Sequence, residues 1–259
     1  MNIIISGYGK MGRLIEERAL EKGHGVLAIV EPAFGAEASK NGTPIYKNLT
    51  DIKNGDMAKA AVALDFTHPS IVVDNIKKFT DKKIPLVVGT TGWSDSLESV
   101  VAMVKENNTS LLYASNFALG VNLFYKVAAY AAQLFDTFAE YDVAGFEAHH
   151  NRKADSPSGT AKTIAGILLD NMSRKKKAVY EKLERPPEPD EIHFASMRFG
   201  AVPGAHSIYF DSPADTIEIS HTARNREGLV SGAIIAAEWL AAAVAAGKRG
   251  VFTFEDVLK

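Results

Sequence analysis

Short runs of consecutive apolar residues alternate with helix-period stretches along the first 114 positions. NIIIS at 2–6 ends in glycines and is followed by a helical pattern over 11–22. VLAIV at 26–30 is the next run, and AVALDF at 61–66 follows a loop rich in Gly, Pro and Asn. A helix over 69–80 then leads to a strand at 84–88, the loop GTTG at 89–92, a helix over 94–107 and a strand at 110–114. Strands that are apolar on both faces and separated by helices form a doubly wound parallel sheet, with helices on each side.

The rhythm changes near Asn116. A long helix is predicted over 120–136 and a strand with two-residue alternation over 140–150, followed by a helix from about 157 to 171. SRKKK at 173–177 and RPPEPD at 185–190 bracket a polar connection, and the lysine run is expected to be a solvated loop. Strands at 192–199, 206–211 and 216–221 have few helices between them, which predicts an open, partly antiparallel sheet of four strands in a second domain. A helix over 229–246 and the segment 250–258, which is able to return to the first domain, close the pattern.

The 259 residues are 46% hydrophobic, enough to fill a large core. A net charge of −2, from 29 basic and 31 acidic side chains, argues against a nucleic-acid partner. The absence of cysteine excludes disulfides, thiolate metal sites and thiol nucleophiles. MNIIISGYGKMG lacks the features of a signal peptide. The longest apolar run, 233–246, is shorter than the ~20 residues that span a bilayer, and Glu238 interrupts it. It is expected to be a buried, alanine-rich helix in a soluble, cytoplasmic protein that does not enter a membrane.

Two motifs carry chemistry. GYGKMG at 7–12 follows the first strand, opens a helix, and has Glu31 at the end of the second strand. Gly7 suits a tight turn, Gly9 admits a pyrophosphate close to the backbone, and Gly12 lets helix and strand pack closely. The helix N-terminus supplies amide donors to phosphate, and Glu31 is placed to accept hydrogen bonds from adenosine ribose hydroxyls. The loop GTTG at 89–92 fits two readings equally. It brings backbone and hydroxyls to a flat ring at the ligand-binding edge, or Thr91 or Ser94 simply caps the next helix.

The second motif is EAHHNRKADSPSGTA at 147–161. Alternation places His149 on the face of Glu147 and His150 on the other, so both serve one site only where the strand ends and the chain curls. Ser156 is expected to cap a helix with Pro157 at its first position, freeing the amides of Ser158, Gly159 and Thr160. With Lys153 beside it, such a turn suits a small carboxylate, and an imidazole nearby suits proton transfer. A metal held by His149, His150 and Glu147 is disfavoured, because adjacent strand histidines diverge and two cations follow, so no metal is expected. A structural role for the two histidines is the other alternative. Serine hydrolysis by Ser158 lacks the Gly-x-Ser-x-Gly elbow.

Taken with DFTHP at 65–69, ASNFALGVN at 114–122, SHTARNR at 220–226 and GVFTFEDVL at 250–258, these motifs resemble the dihydrodipicolinate reductase family over almost the full length. The resemblance implies an NAD(P)H-dependent reductase acting on 4-hydroxy-tetrahydrodipicolinate, a cyclic dicarboxylate of the diaminopimelate route to lysine. It implies His149 as the proton donor, Lys153 as its catalytic companion, and His150, Lys153, Ser158, Gly159 and Thr160 as substrate ligands. Around the dinucleotide it implies Gly7, Gly9, Lys10, Met11, Gly12, Glu31, Phe66, Gly89, Thr90, Thr91, Ser115, Phe117 and Arg226. It implies a Rossmann-type α/β domain at 1–117 completed by 227–259, and an α+β domain on an open mixed sheet at 118–226 that builds a homotetramer.

Many family members carry a basic residue directly after the acid equivalent to Glu31; here that place is Pro32. NADH is therefore expected to be preferred, with NADPH possible through Lys10 or Arg13. Two other readings are another two-domain dehydrogenase and a non-catalytic NAD sensor. The first shares the glycine cradle but not the His-His block, and the second has no use for an acid beside the nicotinamide.

Overall fold

The computed structural model describes residues 1–259 and divides into two compact units, Met1–Leu119 with Glu227–Lys259, and Gly120–Arg226. In the first unit, β1 (Asn2–Ser6), β2 (Gly25–Val30), β3 (Ile45–Tyr46), β4 (Val62–Asp65), β5 (Leu86–Val88), β6 (Ser110–Tyr113) and β12 (Gly250–Thr253) form one sheet. Its order is β12-β6-β5-β4-β1-β2-β3 and every pairing is parallel. The apolar runs become strands because both faces are covered. Ile3, Ile4 and Ile5 are all fully buried, each stabilising the fold by roughly 1.5–3 kcal/mol.

Helices α1 (Lys10–Glu21) and α7 (Glu227–Ala245) cover one face, with Ile3, Ile5, Ile15 and Leu240 in a common core. On the other, α3 (Pro69–Asp81) and α4 (Leu97–Glu106) pack with Ile4, Val72, Val88 and Val100. The length of α7 and its mean hydropathy of 1.8 would suit a membrane span, yet Ala233, Ile234, Ala237 and Leu240 are buried against the sheet. Glu238, which interrupts its apolar run, accepts from His24 at 2.8 Å and Lys22 at 3.2 Å. The order of strands reverses direction between β1 and β4, and ligands bind at such a switch point, beyond the carboxyl ends of the strands.

The second unit holds α5 (Leu119–Asp136), β7 (Asp142–His149), α6 (Gly159–Asn171), β8 (Lys177–Val179), β9 (Glu191–Arg198), β10 (Ala205–Asp211) and β11 (Thr216–Thr222). Its sheet runs β11-β10-β7-β9-β8. Pairing is antiparallel from β11 through β10 to β7, and parallel from β7 through β9 to β8. Helices α5 and α6 share a core with Val143, Phe194, Ile208 and Phe210 on one face of this sheet. No helix of the unit covers the other face, where Met197 is half exposed. The outer side of α5 also leaves Leu123, Val127, Tyr130 and Leu134 exposed, as is Phe138 just beyond its end.

The structure corrects three expectations. The sheet of the second unit has five strands, because Lys177–Val179 adds an edge strand inside the polar connection. The lysine run is not wholly solvated: Lys175 is 4% exposed, and its ammonium donates to Asp142 Oδ1 at 2.5 Å and to the carbonyls of Pro189 and Glu191, both at 2.9 Å. A buried ammonium needs such a full set of acceptors. The third concerns the start of α6, whose N-cap is Ser158 rather than Ser156, with Oγ accepting from Ala161 N at 3.1 Å.

Candidate active site

At the carboxyl edge of the seven-stranded sheet, Gly7 has φ +90°, and a Cβ there would strike the Phe66 carbonyl. A side chain on Gly12 would run into the Gly7 carbonyl, whereas one on Gly9 would meet nothing within 4 Å. Gly9 is also the N-cap of α1 and offers no side chain to its first-turn amides. Open space beside an uncapped helix start fits a pyrophosphate. Lys10 is exposed and Met11 half-buried in the same turn.

Glu31 Oε2 accepts from the Tyr8 amide at 2.9 Å and Oε1 from the Ala33 amide at 3.2 Å, so its carboxylate is fixed beside the glycine loop. A cleft of about 380 Å³ opens there, lined by Gly7, Gly9, Glu31, Pro32, Phe66 and the cations Lys47 and Lys78. The sequence reading missed those two lysines, which come from the end of β3 and from α3. Arg13 lies over the Tyr8 and Phe34 rings, 5.2 and 5.3 Å from their centroids.

The remaining dinucleotide candidates separate into two groups. Thr91, exposed, and Ser115, exposed, line a neighbouring cleft of about 200 Å³. Neither Thr91 nor Ser94 caps α4, whose N-cap is Ser96. Thr90 is 7% exposed. Its hydroxyl donates to Asp65 Oδ1 at 2.9 Å and accepts from the Thr67 amide at 2.8 Å, so it is committed to the fold. Phe117 is 2% exposed, between Phe66 and Phe254, and supports the edge from inside the core. Gly89 is short of a side chain because the Phe66 ring fills that space. Beneath them, buried Asp65 gathers Ser6 Oγ, Thr67 Oγ1 and Asn75 Nδ2 at 2.7–2.9 Å, joining the ends of β1 and β4 to α3.

In the second unit β7 ends at His149, and Lys153 N donates to the His150 carbonyl as the chain curls. Glu147 is fully buried. Its Oε1 accepts from Arg198 Nη2 at 2.7 Å and from the Ser158 amide at 3.1 Å. Burial pushes its pKa up, but the Ser158 and Arg198 hydrogen bonds outweigh that and hold it down at about 2. The other oxygen, Oε2, meets His149 Nδ1 at 2.9 Å, off the axis of a hydrogen bond. It also lies 3.7 Å from His206 Nε2.

Both imidazoles are driven toward the neutral form. For His149 burial is the largest cause; Glu147 opposes it, and Lys153 and Arg198 reinforce it. His206 falls to about 4, through burial and then the charge of His149. The ligand atoms of Glu147, His149 and His206 lie within 4.8 Å of one another. With Arg198 seated on the carboxylate, the cluster is better matched to holding a proton than a second cation.

The anion site is narrower than the sequence suggested. The amide of Ser158 is taken by Glu147, and its hydroxyl serves as N-cap and lies 3.3 Å from His206 Nε2. Ser158 is therefore a structural member. Gly159 and Thr160 supply the first helical amides, which have no partner within a helix. The Lys153 ammonium is paired with Asp155 at 2.7 Å, which holds the Asp155 pKa low. His150 is half-buried, and Arg226 is exposed in the bend before α7. Sequence reading did not find Arg198, His206 or Gly204. Gly204 has φ +154°, and a Cβ there would sit 3.0 Å from His149 Nε2.

An uncapped glycine loop, an acid at the end of β2, and a separate unit with an imidazole and a lysine define a pyridine-nucleotide oxidoreductase of two units. Residues 1–117 match the family model for the dihydrodipicolinate reductase N-terminus and residues 120–258 that for its C-terminus. The chain belongs to the dihydrodipicolinate reductase family. It is 36% identical over 260 residues to 4-hydroxy-tetrahydrodipicolinate reductase of Christiangramia forsetii, covering 100% of this chain and 98% of that one. It is 31% identical over 261 residues to the Staphylococcus aureus (strain Newman) reductase, covering 99% and 100%. The dipicolinate-bound dihydrodipicolinate reductase from Paenisporosarcina sp. TG-14 shares the fold, with a TM-score of 0.77 and 23% identity over 98% of this chain and 97% of that one.

Proposed function

We propose that this chain reduces 4-hydroxy-tetrahydrodipicolinate to tetrahydrodipicolinate, with loss of water, in the diaminopimelate route to lysine. Family membership over the whole length supports this reading. The observation that carries it is the close approach of His149 to buried, ionised Glu147, on the unit that also holds Lys153 and the open start of α6. A nicotinamide dinucleotide supplies the hydride when bound. Gly7, Gly9, Lys10, Met11 and Gly12 hold its pyrophosphate, and Glu31 its ribose. Phe66, Gly89, Thr91 and Ser115 flank the nicotinamide end, supported by Thr90 and Phe117, and Arg226 adds charge to the cofactor.

His149 delivers the proton from Nε2. The substrate carboxylates are held by His150, by the Lys153 ammonium and by the Gly159 and Thr160 amides, with charge-assisted bonds fixing orientation. NADH is the preferred reductant because Glu31 repels a 2′-phosphate; Lys47 and Lys78 in the same cleft keep NADPH admissible. The test is dinucleotide oxidation with freshly prepared dihydrodipicolinate synthase product. Turnover of that product, and none of simple 2-hydroxy acids, is expected; the reverse pattern overturns the reading.

The working form is a cytoplasmic homotetramer. Its contacts use the bare face of the five-stranded sheet, which carries Phe146, Met197 and Tyr209, since an uncovered sheet face is buried most simply by a symmetry mate. Sedimentation at assay concentration should give four chains, and a monomer would remove this part of the proposal.

A further inference from the structure

We propose that Glu147, anchored by Arg198, is the positioning residue for the proton donor: it holds His149 with Nδ1 turned to the carboxylate, while Gly204 leaves Nε2 open. The inference rests on the reading of His149 as donor. Three observations carry it. Oε2 of Glu147 and Nδ1 of His149 are both buried, lack any aligned hydrogen bond, and approach each other to 2.9 Å. The opposite oxygen is tied by Arg198 at 2.7 Å and the Ser158 amide at 3.1 Å, so the carboxylate cannot swing away. On the far side of the ring, the first atom of any side chain at position 204 would lie 3.0 Å from Nε2. The nitrogen that must deliver the proton is kept accessible by the one residue without a side chain.

The charges around His149 come from every neighbouring element: Glu147 on its own strand, Arg198 on β9, His206 on β10, and Lys153 and Asp155 on the following loop. Burial, Lys153 and Arg198 oppose the imidazolium, and Glu147 is the leading influence in its favour. His206 sits with its ring centroid 5.1 Å away, and burial together with the charge of His149 lowers its pKa to about 4. A carboxylate 2.9 Å from Nδ1 also favours the proton on that nitrogen, the tautomer in which Nε2 takes up and releases the transferable proton.

The test is the pH dependence of kcat/KM in the full-length enzyme and in Glu147→Gln, Glu147→Asp and Gly204→Ala. A donor acts while protonated, so activity falls as pH rises through its pKa. Removing the carboxylate charge lowers that pKa, and the falling limb should move to lower pH in Glu147→Gln. Turnover should drop about 10²-fold, the KM for dinucleotide should hold, and Glu147→Asp should restore part of both losses. Gly204→Ala should lower kcat with the limb in place. Nitrogen NMR of the parent's imidazoles serves where a variant does not fold; the neutral His149 ring should carry its proton on Nδ1. A parent with the proton on Nε2, or a folded Glu147→Gln with unchanged turnover and limb, overturns the proposal. Should His149→Gln itself retain turnover, the donor reading fails first. A collapse in His149→Gln beside a normal Glu147→Gln defeats only the positioning role.

Discussion

The Tyr8 hydroxyl donates to Glu16 Oε2 at 2.5 Å, and Ser39 Oγ donates to Oε1 of the same fully buried carboxylate at 2.5 Å. Tyr8 sits between Gly7 and Gly9 of the glycine loop, so this carboxylate ties the loop to its own helix and to the segment beyond β2. Burial, followed by the Glu16 hydrogen bond, lifts the Tyr8 phenol to about 12. Burial works against the Glu16 charge, but the Ser39 and Tyr8 bonds prevail and lower its pKa.

Glu16→Ala should strand two buried hydroxyls, at about 1–3 kcal/mol each, and raise the KM for dinucleotide more than that for substrate. Glu16→Gln keeps an acceptor and should cost less. Urea midpoints and cofactor titration check this; equal KM changes for both ligands would show that the loop does not depend on the network.

His149→Gln should lower turnover by two to four decades with little change in substrate affinity, since a placed proton donor contributes ~10²–10⁴-fold. Lys153→Met should also lose catalysis, with a higher KM for substrate, if the ammonium now paired with Asp155 serves as the proposed carboxylate ligand. Steady-state kinetics separate the two. Near-normal activity in Lys153→Met would remove the anion site.

Stability should fall with acid in two stages. His206 has a folded pKa of about 4, below its ordinary 6.5. Its unfolded form therefore binds more protons as pH drops from 6.5 to 4, and up to about 3 kcal/mol is lost across that window. Glu147, at about 2 against 4.5, adds a second loss as pH falls below 4.5 toward 2. Denaturant midpoints between pH 7 and pH 4 should decline, and His206→Phe should flatten the first stage.

Two unit charges ~4 Å apart interact by about 1 kcal/mol in water and about 4 kcal/mol at an effective dielectric of 20. Glu31 should therefore tilt kcat/KM toward NADH in the parent, and Glu31→Ser with Pro32→Arg should shift it toward NADPH. Lys47→Ala and Lys78→Ala should weaken NADPH more than NADH. A parent favouring NADPH tenfold, or a double variant without a shift, would defeat this account of Glu31.

Much of the fold was visible as period. Ile3–Ile5 and Val62–Leu64 are apolar on both faces, and the parallel sheet follows from that pattern. The strands Ile45–Tyr46 and Lys177–Val179 left no trace because two or three residues, one of them a lysine, cannot establish an alternation. Lys175 looks like its neighbours in SRKKK; its acceptors lie at Asp142, Pro189 and Glu191, and only the folded sheet assembles them. In the site the motif placed His149 beside Glu147, but the partner that fixes Glu147 is Arg198, 51 positions away. Pro157 points to Ser156 as the cap in sequence, but the helix starts two residues later, where Ser158 caps it and its amide is taken by Glu147.

The return of β12 to pair with β6 has a consequence for synthesis. Gly120–Arg226 has all of its strands and helices in hand before Glu227–Lys259 is translated, whereas the seven-stranded sheet awaits its last edge and the α7 face. On the ribosome the inner segment is thus free to fold first, while the outer one exposes Leu112, Val87 and Leu64 until the tail emerges. A chain released after residue 226 should be protease-resistant over Gly120–Arg226 and labile over Met1–Leu119.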